Sequence, residues 1–147
     1  MNKFKYVLYW LVSLTWGCLL TYPGLLIALV LLIIGKKPYR IGPNIYFKVG
    51  YGWGGVEFGP VFLVCEDAWV GTVYHEAGHG LQNLIWGPLM PFVISIPSAI
   101  RYHYRHFVWK HNRSKYYSLP AYDDIWFEGQ ATRWGTEHYS KYYDKIK

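Results

Sequence analysis

The 147-residue chain is long enough for one compact domain and too short for two of ordinary size. Its residues are 52% hydrophobic and 20% aromatic, and only 16% are charged, against about 25% in a typical soluble domain. The net charge is +6, but the basic residues are scattered and form neither a continuous stripe nor a recognisable nucleic-acid module. This composition excludes an ordinary nucleic-acid-binding domain. It favours contact with a lipid bilayer, with a tightly packed aromatic core as the alternative.

An uncharged run extends from Tyr6 to Ile34. Its 29 residues would measure about 43 Å as a helix, and a bilayer span needs only about 20 residues. Pro23-Gly24 interrupts the run, which predicts either one long kinked or tilted span or a re-entrant pair of short helices. The length of the run favours an uncleaved anchor over a signal peptide. We therefore expect a membrane anchor with basic flanks over residues 1–39 and a single domain over residues 40–147.

The charges beside this run indicate an orientation. Two lysines precede the run, and Lys36, Lys37 and Arg40 follow it. The positive-inside rule then favours an integral membrane protein whose C-terminal domain lies on the cytoplasmic side, for a single span or a hairpin. Cys18 and Cys65 are not expected to form a disulfide, which agrees with a reducing compartment.

The segment after the anchor predicts a small antiparallel sheet. Residues 40–66 are rich in Gly, aromatic and β-branched residues, and we expect strands over 44–49 and 56–65, joined by the Gly-rich turn 50–55. Asp67 is then expected to cap a helix that runs from about Ala68 to Trp86 and ends at Gly87-Pro88.

The C-terminal half of the chain is predicted to be less regular. Residues 84–100 are uncharged but contain three prolines, so we expect a segment lying in the membrane interface or a short buried helix beginning near Pro91. Residues 101–118 are polar, basic and aromatic and are predicted to be a loop. A last helix is expected from Asp123 or Asp124 to about Tyr143. The predicted fold class is therefore α+β.

The predicted helix over 68–86 contains the stretch YHEAGHGLQ. His75 and His79 are four residues apart and share one helix face, where their nitrogens can bind one ion, usually Zn²⁺. Glu76 lies about 100° around the helix, a position from which a carboxylate reaches a water molecule rather than the metal. Gly78 and Gly80 leave room for close approach of other groups. The alternative is that ordinary hydrogen bonds satisfy all three polar side chains.

A catalytic zinc site also needs a third protein ligand and an open position. Ile85 stands where the compact HExxH pattern would have a third histidine. Glu128, in DDIWFEGQATRWG, is the best candidate because its apolar neighbours indicate packing against the first helix. An exposed salt bridge is its alternative role. Glu137, Asp123 and His138 lack a comparable local pattern.

HEAGH and the later EGQATRWG together resemble the gluzincin metallopeptidases, especially the membrane-embedded HtpX-like and CAAX prenyl protease-like group. That group pairs HExxH with a later helix reading E-x-x-A-D-R-x-G, and the matching positions here are Glu128, Ala131, Arg133 and Gly135. The resemblance implies a minimal zincin-like domain in which His75, His79 and Glu128 bind zinc and Glu76 acts as the general base.

Thr132 departs from the family pattern, because it stands where these peptidases carry an acid that orients a zinc histidine. A hydroxyl can accept a hydrogen bond from an imidazole N–H group but adds no negative charge. Losses of this kind weaken metal affinity or activity by about 10–100-fold. Activity is therefore less firmly predicted than metal binding.

The function expected from these features is membrane-anchored, zinc-dependent hydrolysis of peptide bonds in membrane-associated polypeptides. His138, Tyr139 and Arg133 are available by composition alone to stabilise the oxyanion, and for each of them a surface role is favoured instead. Two alternatives remain at this point. One is a catalytically inactive protein that keeps zinc or only the fold as an interaction module, and the other is a small membrane protein without a metal.

Overall fold

The chain folds into an α+β structure, which confirms the predicted class. The computed structural model describes residues 2–145, so that Met1, Ile146 and Lys147, at the ends of the two expected segments, lie outside the described residues. Within that range the α-helices are Lys3–Thr15 (α1), Cys18–Ile33 (α2), Val70–Trp86 (α3), Ile96–His111 (α4), Arg113–Tyr117 (α5) and Trp126–Tyr139 (α6). The strands are Pro38–Ile41 (β1), Asn44–Lys48 (β2), Gly55–Phe58 (β3) and Val61–Val64 (β4).

The four strands form one mixed sheet in the order β1-β2-β4-β3. The β1/β2 and β3/β4 pairs are antiparallel, but β2 and β4 are parallel, so the prediction of an antiparallel sheet is wrong for the central pair. The prediction of one strand over 56–65 is also wrong. Gly59 has a positive φ of 67° and is followed by Pro60, and this turn divides the run into the β3/β4 hairpin.

The sheet lies between two helices because alternate residues of a strand face opposite sides. One face carries Tyr46, Phe62 and Val64, which pack against Val73, Tyr74 and Ala77 of α3. The other face carries Phe47 and Val61, which pack against Ala28 and Leu31 of α2. The N-terminal helices therefore cover one face of the sheet, and the helix with the HEAGH motif covers the other.

Helices α3 and α6 are in unusually close contact. A Cβ atom at Gly78 would lie 2.0 Å from the carbonyl oxygen of Ala131, and one at Gly135 would lie 1.8 Å from the carbonyl oxygen of Tyr74. Only glycine fits at either position. A Cβ atom at Gly80 would lie 2.7 Å from the hydroxyl of Tyr9 on α1. The prediction that the motif glycines leave room for close approach is confirmed.

The structure contradicts the predicted start of α3 and confirms its predicted end. The helix begins at Val70 with Trp69 as N-cap, so the prediction of a cap at Asp67 is wrong. The Asp67 carboxylate instead accepts the N–H group of Gly52 at 3.1 Å, and this hydrogen bond lowers its pKa. The C-terminal end is confirmed, because Gly87, with a φ of 49°, ends the helix and a 3₁₀ turn follows over Gly87–Leu89.

The N-terminal uncharged run forms two helices, α1 and α2, at an angle of 102°. The break lies at Trp16-Gly17, so the prediction of a break at Pro23-Gly24 is wrong. Contacts with α3 hold the chain at this break. The Trp16 indole donates to the carbonyl oxygen of Ile85 at 3.2 Å, and the side-chain amide of Asn83 donates to the carbonyl oxygen of Gly17 at 3.3 Å.

The length and apolar composition of each helix can be compared with those of a helix that spans a bilayer. No single helix among residues 2–145 is both long and apolar enough to cross a bilayer. Two bent pairs meet the same criterion when their helices are taken together, Lys3–Thr15 with Cys18–Ile33 and Val70–Leu89 with Pro91–His111.

The prediction of a loop over 101–118 is wrong. A π-helical segment, Pro91–Ser95, leads into α4, which continues to His111 and is followed by α5. Arg101 and Arg105 of α4 donate to the carbonyl oxygens of Ala121 and Pro120, at 2.6 Å each. These side chains hold α4 against the segment before α6. That segment contains a 3₁₀ turn over Tyr122–Asp124, and α6 itself begins at Trp126 rather than at Asp123 or Asp124.

Replacing Gly78 by Ala tests the α3–α6 contact. The added methyl group would force the two helices apart, and we expect a loss of about 1–3 kcal/mol in the free energy of unfolding, as for other overpacked cores. The measurement is denaturant unfolding of the purified chain. Glu137→Ala, an exposed change on α6, is the control. A Gly78→Ala protein as stable as this control would contradict the close packing.

Candidate metal centre

Helix α3 places the two motif histidines together. His75 and His79 lie one turn apart, and their rings meet edge to face with centroids 4.7 Å apart. Their Nε2 atoms are 3.1 Å apart. His79 is buried, and the side chain of His75 is 15% exposed.

Helix α6 adds a carboxylate to this pair. Glu128 is fully buried, and its Oε2 atom lies 3.0 Å from Nε2 of His75 and 3.3 Å from Nε2 of His79. These three side chains form a group of potential metal ligands. Each offers one ligand atom, and the three atoms all lie within 4.8 Å of one another. The structure thus brings together the three residues predicted as ligands and supports a metal site there.

The hydrogen bonds of His79 fix where its ring carries a proton. Gln82 donates from Nε2 to the carbonyl oxygen of Phe127 at 2.8 Å, which turns its Oε1 atom toward Nδ1 of His79 at 2.7 Å. Because an amide oxygen only accepts, Nδ1 of His79 must be the donor. In a neutral ring, Nε2 of His79 therefore presents a lone pair to Glu128.

Thr132 plays the equivalent part for His75. Its Oγ1 atom lies 2.8 Å from Nδ1 of His75, at the position where the family motif has an acid. A hydroxyl that accepts from Nδ1 leaves Nε2 of His75 with a lone pair as well. The contact matches the role expected for Thr132, without the negative charge of a carboxylate.

Three lone-pair donors therefore converge at one buried point. Burial raises the pKa of Glu128, but the adjacent imidazoles of His75 and His79 lower it by more, so its pKa lies below the ordinary value and the carboxylate is ionised. A proton shared with one imidazole would still leave the lone pair of the other facing it. A divalent cation satisfies all three atoms at once. Two imidazoles and one carboxylate are a ligand set that suits Zn²⁺ with an open position.

Glu76 is adjacent to this group but outside it. Its buried carboxylate lies under β3, where a Cβ atom at Gly55 would come within 2.6 Å of its Oε1 atom. Burial raises the pKa of Glu76 to about 8; the nearby His79 opposes this shift, and the carboxylates of Glu57 and Glu128 add to it. Glu76 can therefore exchange a proton near neutral pH.

Two cavities meet at these residues. The first is about 660 Å³ and extends toward α4, and the second is about 500 Å³ and extends toward the start of α3. Both are lined by His75, Glu76 and Gly55, together with Tyr102 and Tyr122. The candidate centre is thus reached from two sides.

Several residues at the site were not predicted from the sequence. Tyr122 lines both cavities and donates from its hydroxyl to Oε1 of Glu128 at 3.3 Å. Gln82 orients His79. Because it lies three residues after that histidine on α3, helix periodicity could have predicted this contact. Glu57 on β3 lines the first cavity. Tyr122 and Glu57 carried no such signal, because only the tertiary fold brings them to the site.

The residues suggested by composition for oxyanion stabilisation lie elsewhere. Arg133 and His138 are exposed on α6, and Tyr139 is buried in the core between α3 and the sheet. None of the three lines the two cavities at the site. Arg133 and His138 thus have the surface role that the sequence favoured for them, whereas Tyr139 has a core role that the sequence did not indicate.

No protein-family model, curated protein sequence or solved structure matches this chain. The gluzincin resemblance rests on the two short motifs, His75–His79 and Glu128–Gly135. The support for a metal site comes from the distances between His75, His79 and Glu128.

Removing the carboxylate ligand tests the centre directly. We expect the wild-type chain to bind about one Zn²⁺ and Glu128→Ala to raise the zinc Kd by at least about 100-fold, because losses among outer groups alone reach 10–100-fold. Elemental analysis and competition with a chelator dye measure this. Glu137→Ala, on the exposed side of the same helix, should bind like the wild type. Equal zinc binding by folded Glu128→Ala would exclude Glu128 as a ligand.

Two substitutions of Thr132 give a second test, because one should tighten zinc binding and the other should weaken it. Thr132→Asp supplies the missing charge behind His75 and should tighten zinc binding by about 10-fold, whereas Thr132→Val removes the hydrogen bond and should weaken it by about 10-fold. The same chelator competition gives both constants. Identical constants for the two variants would show that the contact does not tune the metal site.

Proposed function

We propose that this chain is a membrane-anchored, zinc-dependent peptidase of gluzincin type. The observation that carries the proposal is the convergence of two imidazole nitrogens and a carboxylate oxygen beside a buried carboxylate, Glu76, that is not part of the group. A structural zinc site has four protein ligands and needs no base. Three ligands next to a cavity and a candidate base fit a catalytic site better.

In this proposal His75, His79 and Glu128 hold the zinc ion. Bound there, zinc supplies Lewis acidity, which makes water nucleophilic near neutral pH and polarises a carbonyl group. Gln82 and Thr132 keep the two imidazoles in the tautomer that presents Nε2 to the ion. Tyr122 holds the second oxygen of Glu128, so that only one carboxylate oxygen faces the histidines.

Glu76 is proposed as the general base. Its carboxylate lines both cavities, and its raised pKa of about 8 matches a group that takes a proton from water and later gives it to the leaving amine. Gly55 supports this role by geometry, because any larger residue would occupy the space of the Glu76 carboxylate. Glu76 is thus held close to the centre and kept from full solvation.

The sheet edge offers a place for a polypeptide substrate. β3 is the outermost strand on the side of the site, and its Gly55 lies against Glu76. An extended polypeptide could pair with such an edge and pass from one cavity to the other across the centre. Access from both sides supports cleavage within a chain.

The bilayer is the proposed location of α1 and α2. Large apolar side chains are exposed on both helices, including Phe4, Val7 and Leu11 on α1 and Leu26, Leu29 and Ile33 on α2. Lysines lie in the first turn of α1 and directly after α2, and they favour a cytoplasmic location for the rest of the chain. Substrates would then be polypeptides that are themselves associated with the membrane.

A catalytically inactive zinc-binding protein is the second candidate, and Thr132 favours it. The hydroxyl gives His75 a hydrogen bond but no charge, which weakens the support that an active zinc site normally receives. Glu76 favours the enzyme over this alternative, because an inactive site has no need of a buried carboxylate beside its ligands.

Glu76→Gln separates the two candidates. For an enzyme we expect the rate of peptide cleavage to fall by about 10²–10⁴-fold, the usual contribution of a general base, while zinc content is unchanged. Cleavage of a quenched fluorescent peptide library is measured beside elemental zinc. The control is Glu66→Gln, a surface change at the Lys36 ion pair. Zinc binding without cleavage by the wild type would favour the inactive candidate.

A further inference from the structure

A second buried carboxylate, Glu57, lies in the first cavity and has no part in the proposed reaction. It is on β3 opposite Phe62 of β4, and it shares the face of the sheet that packs on α3. Its neighbours on that face, Phe62 and Val64, are fully buried and apolar. Glu57 is only 7% exposed. A carboxylate at such a core position is costly unless a partner compensates it.

The protein supplies only part of that compensation. One carboxylate oxygen of Glu57 accepts the N–H group of Gly59 in the β3/β4 turn. A carboxylate has about four acceptor sites, and the side chains described over residues 2–142 give Glu57 no second hydrogen bond and no ion pair. The Glu57 carboxylate is therefore held at the β3/β4 turn by one hydrogen bond, and its remaining acceptor sites can bind a cationic donor.

The cavity lined by Glu57 also has an apolar wall against which a ligand could pack. It has a volume of about 660 Å³, and its apolar lining includes Val56, Met90, Ile94 and Ala99. Met90 and Ile94 are fully buried and are supplied by the segment that leads into α4. A chain of several methylene groups would be in contact with apolar surface here, while a group at its end could reach the carboxylate.

We propose that Glu57 is a specificity-determining residue that binds a primary ammonium group carried on an apolar stem. As a statement about substrate choice, this rests on the proposed peptidase function. Two polypeptide groups have the required chemistry: the side chain of lysine and a free amino terminus. Either would form a charge-assisted hydrogen bond with the free sites of the carboxylate.

The electrostatics of the cavity agree with this assignment. Burial raises the pKa of Glu57 to about 7, against the opposing effects of His79 and of the Gly59 hydrogen bond. An ammonium group would favour the ionised carboxylate. Binding is therefore best measured at pH 8, above the pKa of Glu57, where its carboxylate is ionised.

Small probes test the site without any need for catalysis. n-Hexylamine and 1-hexanol share a stem, and their affinities for the full zinc-loaded chain at pH 8 can be measured by ligand-observed NMR. We expect the amine to bind at least about 10-fold more tightly than the alcohol, since hydrogen bonds to charged groups are the stronger ones. Equal affinities in the wild type would overturn the proposal.

Glu57→Gln keeps an acceptor for Gly59 and removes only the charge. We expect it to weaken hexylamine binding by about 10–100-fold and to leave hexanol binding and zinc content unchanged. Unchanged amine binding in this variant would show that Glu57 only closes the β3/β4 turn. If the variant does not fold, equal affinities of the amine and the alcohol in the wild type would still overturn the proposal.

Peptide substrates distinguish the two sources of the ammonium group. Acetylated peptides with lysine or norleucine at one position test the side chain, and the same norleucine peptides with and without the acetyl group test the amino terminus. The wild type should prefer one cationic form, and Glu57→Gln should lose that preference by about 10–100-fold. If no peptide is cleaved, the proposed peptidase function fails while the amine-binding result stands independently.

Discussion

The close contact between α3 and α6 is the constraint on which the candidate site depends. Gly78 lies against the backbone of Ala131, and Gly135 lies against the backbone of Tyr74. With any side chain at these two positions the helices would be farther apart, and Glu128 could not lie 3.0 Å from His75. The glycines reduce intrinsic helix stability, but they allow ligands from two helices to share one point.

That contact also determines the electrostatics of the site. Helix packing this tight excludes water from Glu128 and leaves its Oε2 atom without an ordinary hydrogen-bond partner. The folded chain therefore holds three electron-rich atoms together at a cost in free energy, and a bound cation would relieve that cost. Metal binding and folding are coupled in such an arrangement, because the ligands come together only in the folded state.

The parts of the structure that could be predicted are those encoded by local spacing. The interval between His75 and His79, the end of α3 at Gly87 and the candidacy of Glu128 follow from helix periodicity and nearby residues. The sheet order could not be predicted, because pairing of β2 with β4 depends on contacts between distant segments. Residues 101–118 are rich in basic, polar and aromatic residues, which favoured a loop; in the structure Arg101 and Arg105 of α4 contact the 118–124 segment. Glu57 and Tyr122 reach the site only through those same long-range contacts.

The N-terminal helices are connected to the site by polar contacts. The Tyr9 hydroxyl on α1 donates to Asn44 at 2.6 Å and lies directly against Gly80, the residue after His79. Asn83, one turn further along α3, donates to the carbonyl oxygen of Gly17 at the break between α1 and α2. If the bilayer holds α1 and α2, these contacts fix the depth and orientation of α3 relative to it. The position of the histidines with respect to the membrane would then be a property of the fold rather than of a flexible tether.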